Sequence, residues 1–114
     1  TQGIRLDPKL SRARMWRGLA HYNKDEYPAA IIDLTKAIQL DPRDSEAYVL
    51  RGWVFEATND IDRAIADYSI AIAIRPTSST YASRAKCYSE QRDDERAEAD
   101  LKEAERLNPA SAGK

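Results

Sequence analysis

The residues best suited to chemistry in this sequence are one histidine, one cysteine and three arginine–aspartate pairs. His21 is the only histidine, so neither a histidine-based zinc site nor a Ser–His–Asp arrangement can be completed. Cys87 is the only cysteine, and no base is placed to activate its thiol. The four glycines are scattered and form no phosphate-binding loop. The sequence therefore predicts a protein that is not an enzyme, with no cofactor and no metal site.

The three arginine–aspartate pairs share one spacing of 16 residues. They are Arg17 with Asp33, Arg51 with Asp67, and Arg84 with Asp100. On two antiparallel helices that reverse near Asp25, Asn59 or Arg92, this offset brings both side chains to about the same height. Arginine forms two parallel hydrogen bonds to a carboxylate, so each pair predicts a partly buried ion pair that stabilises the fold. The next arginine along the chain is the alternative partner, for example Arg51 for Asp33.

The middle of the chain reads as two helices joined by one reversal. Tyr48, Gly52 and Phe55 recur at i, i+4 and i+7, which places them on one helical face. The segment that follows has the same periodicity, and its apolar positions are Ile61, Ala64, Ile65, Tyr68, Ala71 and Ile72. Asn59 tolerates the left-handed conformation of a helix C-cap, and Pro76 ends the second helix. We therefore predict an antiparallel helix hairpin.

The same pattern recurs before and after this hairpin. Arg17-Gly18 matches Arg51-Gly52, and Arg84-Ala85 follows. Four prolines, spaced by 34, 34 and 33 residues, keep the same period: Pro8, Pro42, Pro76 and Pro109. A period of this length, with small residues at the helix crossings and a closing proline, resembles the tetratricopeptide repeat, particularly its bacterial variety with an Arg-Gly pair. The resemblance implies an all-α fold, a right-handed superhelical α-solenoid of three helix hairpins.

The repeat register divides the chain into five segments. Residues 1–10 are a remnant of a preceding repeat or an N-terminal cap, and residues 110–114 are a polar tail. Three hairpins lie between them, at residues 11–44, 45–77 and 78–109. Their predicted helices span residues 11–24, 28–40, 45–58, 61–74, 78–91 and 94–107. Ser11 is the predicted N-cap of the first helix, Pro28 the first residue of the second, and Asp44 or Ser45 the start of the third.

Comparison between the hairpins predicts the packing environment of several residues. Small residues are expected to face one another at the helix crossings: Gly18 with Ala30, Gly52 with Ala64, and Ala85 with Ala97. His21 stands where the later hairpins have Phe55 and Tyr88, which predicts a side chain at the edge of the core. Cys87 stands at the position of Val54, which predicts a small buried thiol.

A second apolar stripe lies beside the predicted core face of each first helix, where a helix with one buried face should be polar. In tetratricopeptide proteins this stripe lines a concave groove in which peptides or helices dock. The resemblance therefore implies a groove with seven lining residues: Met15, Leu19, Tyr22, Val49, Leu50, Trp53 and Lys86. In the third hairpin the stripe is polar, with Lys86 between Ser83 and Glu90. Met15 and Trp16 have an alternative role, which is packing against a preceding repeat.

Charge and composition narrow the class of partner. Eighteen basic and nineteen acidic residues leave a net charge of −1, which provides no general attraction for nucleic acid or for an anionic membrane. No apolar run approaches the roughly 18 residues of a membrane span, so direct membrane insertion is not expected. The expected partner is a protein or a peptide. The compartment stays undetermined, with the cytoplasm favoured and the periplasm open.

Three functions fit the sequence. The leading one is a protein-interaction scaffold that binds an apolar helix or an extended peptide in the groove. The others are self-assembly into a homo-oligomer, and an accessory region of a larger enzyme or secretion-system protein. The charged last helix is either a terminal cap or an acidic partner surface.

One ligand of the family can be tested directly against the sequence. Chaperone-binding relatives hold a peptide's C-terminal carboxylate with lysine, asparagine and arginine side chains. The matching positions here carry Met15, Leu19, Leu50, Ser79 and Ser83. Heat-shock chaperone tails are therefore not expected as ligands.

Overall fold

The computed structural model of the chain describes residues 8–108. Within this range the chain forms six helices and no strand: α1 (Pro8–Asn23), α2 (Tyr27–Leu40), α3 (Ser45–Ala57), α4 (Ile61–Ile74), α5 (Ser78–Glu90) and α6 (Asp94–Leu107). The predicted remnant of a preceding repeat, apart from its last three residues, and the predicted tail lie outside the described residues. No helix in the described range is long and apolar enough to cross a membrane.

The helices pair in sequence order and then stack. α1 packs on α2, α3 on α4 and α5 on α6, while α2 contacts α3 and α4 contacts α5. The three hairpins therefore form an all-α helical repeat, 45 Å long and 28 × 25 Å across. Each hairpin buries one face within itself and one against its neighbour, as expected of a repeat that contacts only adjacent units.

Each hairpin reverses through one residue with positive φ. These residues are Asp25, Asn59 and Arg92, at 61°, 63° and 62°. At the central turn the Asp60 amide donates to the Phe55 carbonyl at 2.8 Å and the Asn59 amide to the Glu56 carbonyl at 2.9 Å. This pair of bonds is a Schellman motif, which satisfies the last carbonyls of α3. The prediction of a left-handed C-cap at Asn59 is confirmed.

The start of α1 differs from the prediction. The helix begins at Pro8, and Ser11, the predicted N-cap, is buried inside it. The Ser11 hydroxyl donates to the Ala37 carbonyl of α2 at 3.1 Å, and Ser78 makes the equivalent bond to Ala104 at 2.9 Å. Ser11 therefore lies inside the helix, three residues after its start, and its side chain makes a contact between helices.

The other predicted helix starts are close to those observed. Asp44 caps α3, because its carboxylate accepts from the Glu46 amide at 3.1 Å. Pro28 occupies the second residue of α2 instead of the first, since the helix begins one residue earlier at Tyr27.

All three predicted arginine–aspartate pairs are present. Arg51 Nε donates to Asp67 at 2.8 Å and Nη2 to its other oxygen at 2.9 Å, and Arg17 and Arg84 bind their aspartates in the same two-donor way. The alternative pairing of Arg51 with Asp33 is not formed. Instead, the third donor of Arg51, Nη1, reaches the Thr35 hydroxyl of the preceding hairpin at 3.2 Å. Arg51 therefore links the two helices of its own hairpin through Asp67, and links that hairpin to the preceding one through Thr35.

The same link recurs in the third hairpin. Arg84 Nη1 donates to the Ser69 hydroxyl at 3.0 Å. Its guanidinium also lies between two aromatic rings, 5.7 Å from the centroid of Tyr81 and 5.6 Å from that of Tyr88. An arginine between ring faces gains cation–π attraction in addition to its ion pair.

The first hairpin lacks this enclosure. Its arginine, Arg17, has a side chain that is 59% exposed, against 20% for Arg51 and 19% for Arg84. His21, at the aromatic position, lies with Nδ1 2.6 Å from Glu26 and Nε2 3.5 Å from Asp33. Hydrogen bonding from Arg17 lowers the pKa of the Asp33 carboxyl. The core-edge histidine therefore lies against the carboxylates of Glu26 and Asp33.

Large side chains fill the space that the glycines leave. A Cβ placed on Gly52 would lie 2.6 Å from Cε1 of Tyr68, and one on Gly18 would lie 2.7 Å from Cγ of Leu34. In the first hairpin the alanine predicted to face the glycine is also near, because the Ala30 carbonyl oxygen is 3.4 Å from the same Cβ. The helices approach closely here because a large residue of the second helix occupies the place of the missing side chain.

We predict that Arg51→Met lowers the free energy of unfolding by about 1–3 kcal/mol, because Asp67 would stay buried without its donors. Urea unfolding followed by circular dichroism measures the change. Arg106→Met is the control, since Arg106 pairs with Glu103 on the surface of one helix, and it should have little effect. Equal losses for the two variants would contradict a special role for the buried pair.

We also predict that Gly52→Ala destabilises the fold, although alanine is the better helix former. Overpacking against Tyr68 costs about 1–3 kcal/mol, and the gain in helix propensity is at most about 1 kcal/mol. The third hairpin carries alanine and leucine at these two positions, Ala85 and Leu101. Adding Tyr68→Leu should therefore recover part of the loss in a double-mutant cycle. Additive effects of the two changes would show that they do not meet.

Candidate peptide-binding groove

The first helices of the three hairpins line two surface depressions that meet at Trp53. The Trp53–Glu90 depression has a volume of about 490 Å³ and is lined by Tyr22, Trp53, Glu56, Ala57, Ser83, Lys86 and Glu90. The Arg12–Arg75 depression has a volume of about 410 Å³ and is lined by Arg12, Asp44, Ser45, Glu46, Val49, Leu50, Trp53, Arg75, Thr77, Ser79 and Thr80. We refer to the two together as the groove. Trp53 belongs to both, so it lies at the centre of the surface.

Trp53 is held by a row of aromatic rings. Its ring centroid lies 6.0 Å from that of Tyr22, and Tyr22 lies 6.1 Å from Tyr27. These tilted pairs are within the separation at which aromatic rings attract each other. Trp53 nevertheless stays 38% exposed, so one part of the indole packs while another part faces solvent.

Five of the seven residues predicted for the groove line one or both depressions: Tyr22, Val49, Leu50, Trp53 and Lys86. Leu50 is almost fully buried and contributes only a small part of the floor. Leu19 is half-buried, packs against the core cluster of the first two hairpins and is not among the residues that line either depression.

Met15 is the exception, and the prediction that it faces the groove is wrong. Its side chain is fully buried in one core cluster with Leu50 and Val54 of the next hairpin. The alternative, packing against a preceding repeat, is also wrong for Met15 but remains open for Trp16, which is 53% exposed.

The Trp53–Glu90 depression carries more negative than positive charge. Glu56 accepts a short hydrogen bond from the Tyr68 hydroxyl, and Lys86 Nζ lies 3.6 Å from its other oxygen. Lys86 itself is 68% exposed, so this ion pair is loosely held. Burial and the Glu56 carboxylate raise the pKa of Tyr68, which keeps its hydroxyl protonated as a donor.

Several lining residues were missed in the sequence. Glu56 lies one turn after Trp53 on the same helix face, a spacing that could have revealed it. Arg75 lies just after the end of α4, and the periodicity of a helix carries no information on where such a residue points. Arg12 lies one turn before Trp16, near the start of α1.

The two single residues considered for catalysis are both engaged in the fold. His21 contacts Glu26 and Asp33, as described above. Cys87 is fully buried beside Tyr68, and the prediction of a small buried thiol is confirmed. Burial, followed by the Glu56 and Glu90 carboxylates, raises the pKa of Cys87 to about 12. Within residues 8–108 no cluster of three histidine, cysteine or acidic side chains is placed to hold a metal ion.

Comparison with known proteins decides the family. Three models of the tetratricopeptide repeat match residues 11–44, 34–66 and 78–111, which together span most of the chain. The chain belongs to the tetratricopeptide-repeat family. No sequence among the curated proteins matches it.

Solved tetratricopeptide-repeat (TPR) structures share the fold. The first TPR of Spaghetti (RPAP3), bound to the HSP90 peptide SRMEEVD, superposes with a TM-score of 0.88 at 21% identity, over 94% of this chain and 86% of that one. MamA superposes with a TM-score of 0.87 at 28% identity, over 95% of this chain and 64% of that one, so this chain spans less than two thirds of MamA.

A bacterial chaperone is also similar. The Yersinia enterocolitica type III secretion chaperone SycD, in complex with a peptide of the translocator YopD, gives a TM-score of 0.85 at 20% identity, over 90% of this chain and 79% of that one. At this level of identity the likeness establishes the fold and leaves the ligand to the residues of this chain.

The first TPR hairpin exposes a surface whose counterpart in the second hairpin is buried. In α3, Ala47, Leu50 and Val54 are covered by α2. The residues at the same repeat positions of α1 are Ala13, Trp16 and Ala20, and all three are exposed. Together with Arg17 they form what we call the uncovered α1 face. It is a helix-packing surface without a covering helix among the described residues.

We predict that Cys87 resists labelling by a disulfide reagent at pH 8 while the protein is folded. Because the thiolate is the reactive form, raising the pKa from 9.0 to about 12 slows the reaction about a thousandfold relative to a free thiol. Full reactivity should return in urea. The unfolded thiol also ionises first, so folding stability should fall as the pH rises above about 9. Prompt labelling of the native protein would contradict the burial of this side chain.

Proposed function

We propose that this chain is a protein-interaction scaffold that binds an apolar helix or an extended peptide across the groove centred on Trp53. The observation that carries the proposal is a partly exposed tryptophan at the junction of two depressions. Tryptophan at the centre of a surface is the residue type that most often dominates a protein interface. The TPR structures of Spaghetti and SycD, which hold peptides, support the same class of function.

The groove residues have distinct roles in this proposal. Trp53 is the anchor, supported from behind by Tyr22. Val49 and Leu50 provide an apolar floor on one side of it, with Leu19 at the edge. Lys86 supplies a mobile charge on the other side. A row of apolar contacts with charges at its rim suits an amphipathic helix or a peptide with alternating apolar side chains.

The scaffold acts by binding, without catalysis. This part of the proposal is supported by the engagement of His21 with two carboxylates and by the burial of Cys87. A nucleic-acid ligand is disfavoured, because the charges lining the groove are mixed in sign. Arg12, Arg75 and Lys86 are interleaved with acidic residues and do not form the continuous basic surface that phosphates require.

A second candidate function is self-assembly through the uncovered α1 face. The specific observation is Trp16, a large apolar side chain that is 53% exposed on a surface of helix-packing character. Exposed apolar patches of this kind mark interaction sites. The groove is preferred as the primary site because it combines concave shape with a supported anchor residue.

The experiment uses a phage-displayed library of random 12-residue peptides and two matched variants. Trp53→Ala should weaken selected peptides roughly thirtyfold, which corresponds to about 2 kcal/mol. It should cost less stability than the 3–5 kcal/mol of a fully buried tryptophan, because the side chain is partly exposed. Fluorescence anisotropy and thermal melting measure the two effects.

Trp16→Ala is the matched control, since it removes the same side chain from the uncovered α1 face. It should leave peptide affinity unchanged. Sedimentation of both variants then addresses self-assembly, which only Trp16→Ala should reduce. If peptides bind equally to wild type and Trp53→Ala, the groove is not the binding site. If the Trp53 variant does not fold, Trp53 is a core residue, and the groove proposal loses its anchor.

A further inference from the structure

The Trp53–Glu90 depression combines an aromatic wall with two carboxylates. Tyr22 and Trp53 form the wall, and Glu56 and Glu90 lie on the same lining with a single cation, Lys86. We infer that this depression binds an arginine side chain of the partner peptide, with the guanidinium against Trp53 and paired with Glu90. The inference rests on the proposed function and names the partner's side chain at one end of the groove.

The pairing of the charges is the first argument. Glu56 is already engaged by the Tyr68 hydroxyl and by Lys86. Glu90 makes no hydrogen bond and no ion pair within the part of the chain that the structure describes. Glu90 is exposed, so this carboxylate is available to pair with a cation of the ligand.

The environment of Cys87 gives the same sign for the local potential. This thiol lies next in sequence to Lys86 and is buried beside Tyr68. Burial raises the pKa of this thiol most, and the Glu56 and Glu90 carboxylates raise it further. Lys86 lowers the pKa, and its effect is smaller than that of either glutamate. The field of the two glutamates thus outweighs that of the lysine at this point.

The chemistry of the wall favours arginine over other cations. A guanidinium is planar, so it can stack on an indole face and donate two bonds to a carboxylate at the same time. This protein already uses that arrangement in its core: Arg84 lies between the rings of Tyr81 and Tyr88 while it binds Asp100 through two donors. A volume of about 490 Å³ is within the range of small-ligand sites and leaves room for an arginine.

An acidic ligand would meet the opposite conditions. The side chains of an acidic peptide tail would approach Glu56 and Glu90 in a partly apolar site, where like charges repel strongly. Two features therefore disfavour an acidic ligand. One is the negative charge of this depression. The other is the lack of the lysine, asparagine and arginine side chains that hold a terminal carboxylate in chaperone-binding relatives.

The test uses the same random peptide library with wild type and two matched glutamate variants. Glu90→Gln removes the unpaired charge, and Glu98→Gln removes an exposed charge of α6 outside the groove. Among peptides that require Trp53, arginine should be enriched at one position with wild type and with Glu98→Gln, but not with Glu90→Gln. An acidic 12-residue peptide without arginine or lysine, used as a reference probe, should not bind.

A selected peptide then allows a direct measurement. Replacing its arginine by citrulline, which is neutral and of similar shape, should weaken binding about tenfold with wild type and much less with Glu90→Gln. The tenfold effect should shrink at high salt, because the pair lies partly in solvent. Fluorescence anisotropy at two salt concentrations measures both changes.

The outcomes separate this inference from the proposed function. Peptides that require Trp53 but show no arginine enrichment would overturn the inference and leave the scaffold function intact. Lysine enrichment, or a citrulline effect that survives in Glu90→Gln, would also overturn it as stated. A library without any binder that depends on Trp53 would overturn the proposed function and this inference together.

Discussion

Three carboxylates are buried where the two helices of each hairpin meet, and much of the structure is arranged to neutralise them. Asp33, Asp67 and Asp100 each receive two hydrogen bonds from one arginine of the facing helix. A buried carboxylate without its partner is strongly destabilising, so any shift of one helix along the other is opposed by this pair. In the second and third hairpins the same arginine also binds a hydroxyl of the preceding hairpin. One side chain therefore specifies both the pairing within a hairpin and the stacking between hairpins.

The position of the arginine also determines which residue faces the groove. Successive residues of a helix are about 100° apart, so the residue two positions later lies about 200° around the helix, on the opposite side. Leu19, Trp53 and Lys86 each follow the arginine of their hairpin by two positions. Because the arginine is fixed at the helix crossing, these side chains are directed away from it. The buried ion pair thus sets the direction in which the proposed binding residues point.

Much of the fold follows from the sequence because its signals are local or repeated. The left-handed residue at Asn59 and the cap of α3 depend on neighbours within four residues, and the arginine–aspartate pairing depends only on the offset within one hairpin. Ser11 was misassigned because its hydroxyl binds Ala37, a contact 26 residues away that competes with capping. The large side chains opposite the glycines were missed for a related reason, since a period identifies small residues but not what fills the space beside them.

The candidate site was predicted less completely. Trp53 and Val49 could be found because they lie off the core face of α3, but the same rule placed Met15 wrongly. A stripe beside the core face of a helix can meet either solvent or the next hairpin, and in α1 that hairpin supplies Leu50 and Val54 to cover Met15. Helix periodicity gives the angle of a side chain around its own helix. It does not give the distance to a neighbouring helix, which decides whether the side chain is covered.

The two ends of the array differ in how well they would accept another hairpin. Thr35 and Ser69 are the hydroxyls that bind the arginine of the following hairpin, and the residue at this position of α6 is Lys102. In the repeat register, Arg17 of a second copy stacked on α6 would meet a lysine, and two like charges would replace a hydrogen bond. The uncovered α1 face carries no such conflict with an apolar helix. Self-assembly in the repeat register, head to tail, is therefore disfavoured by charge.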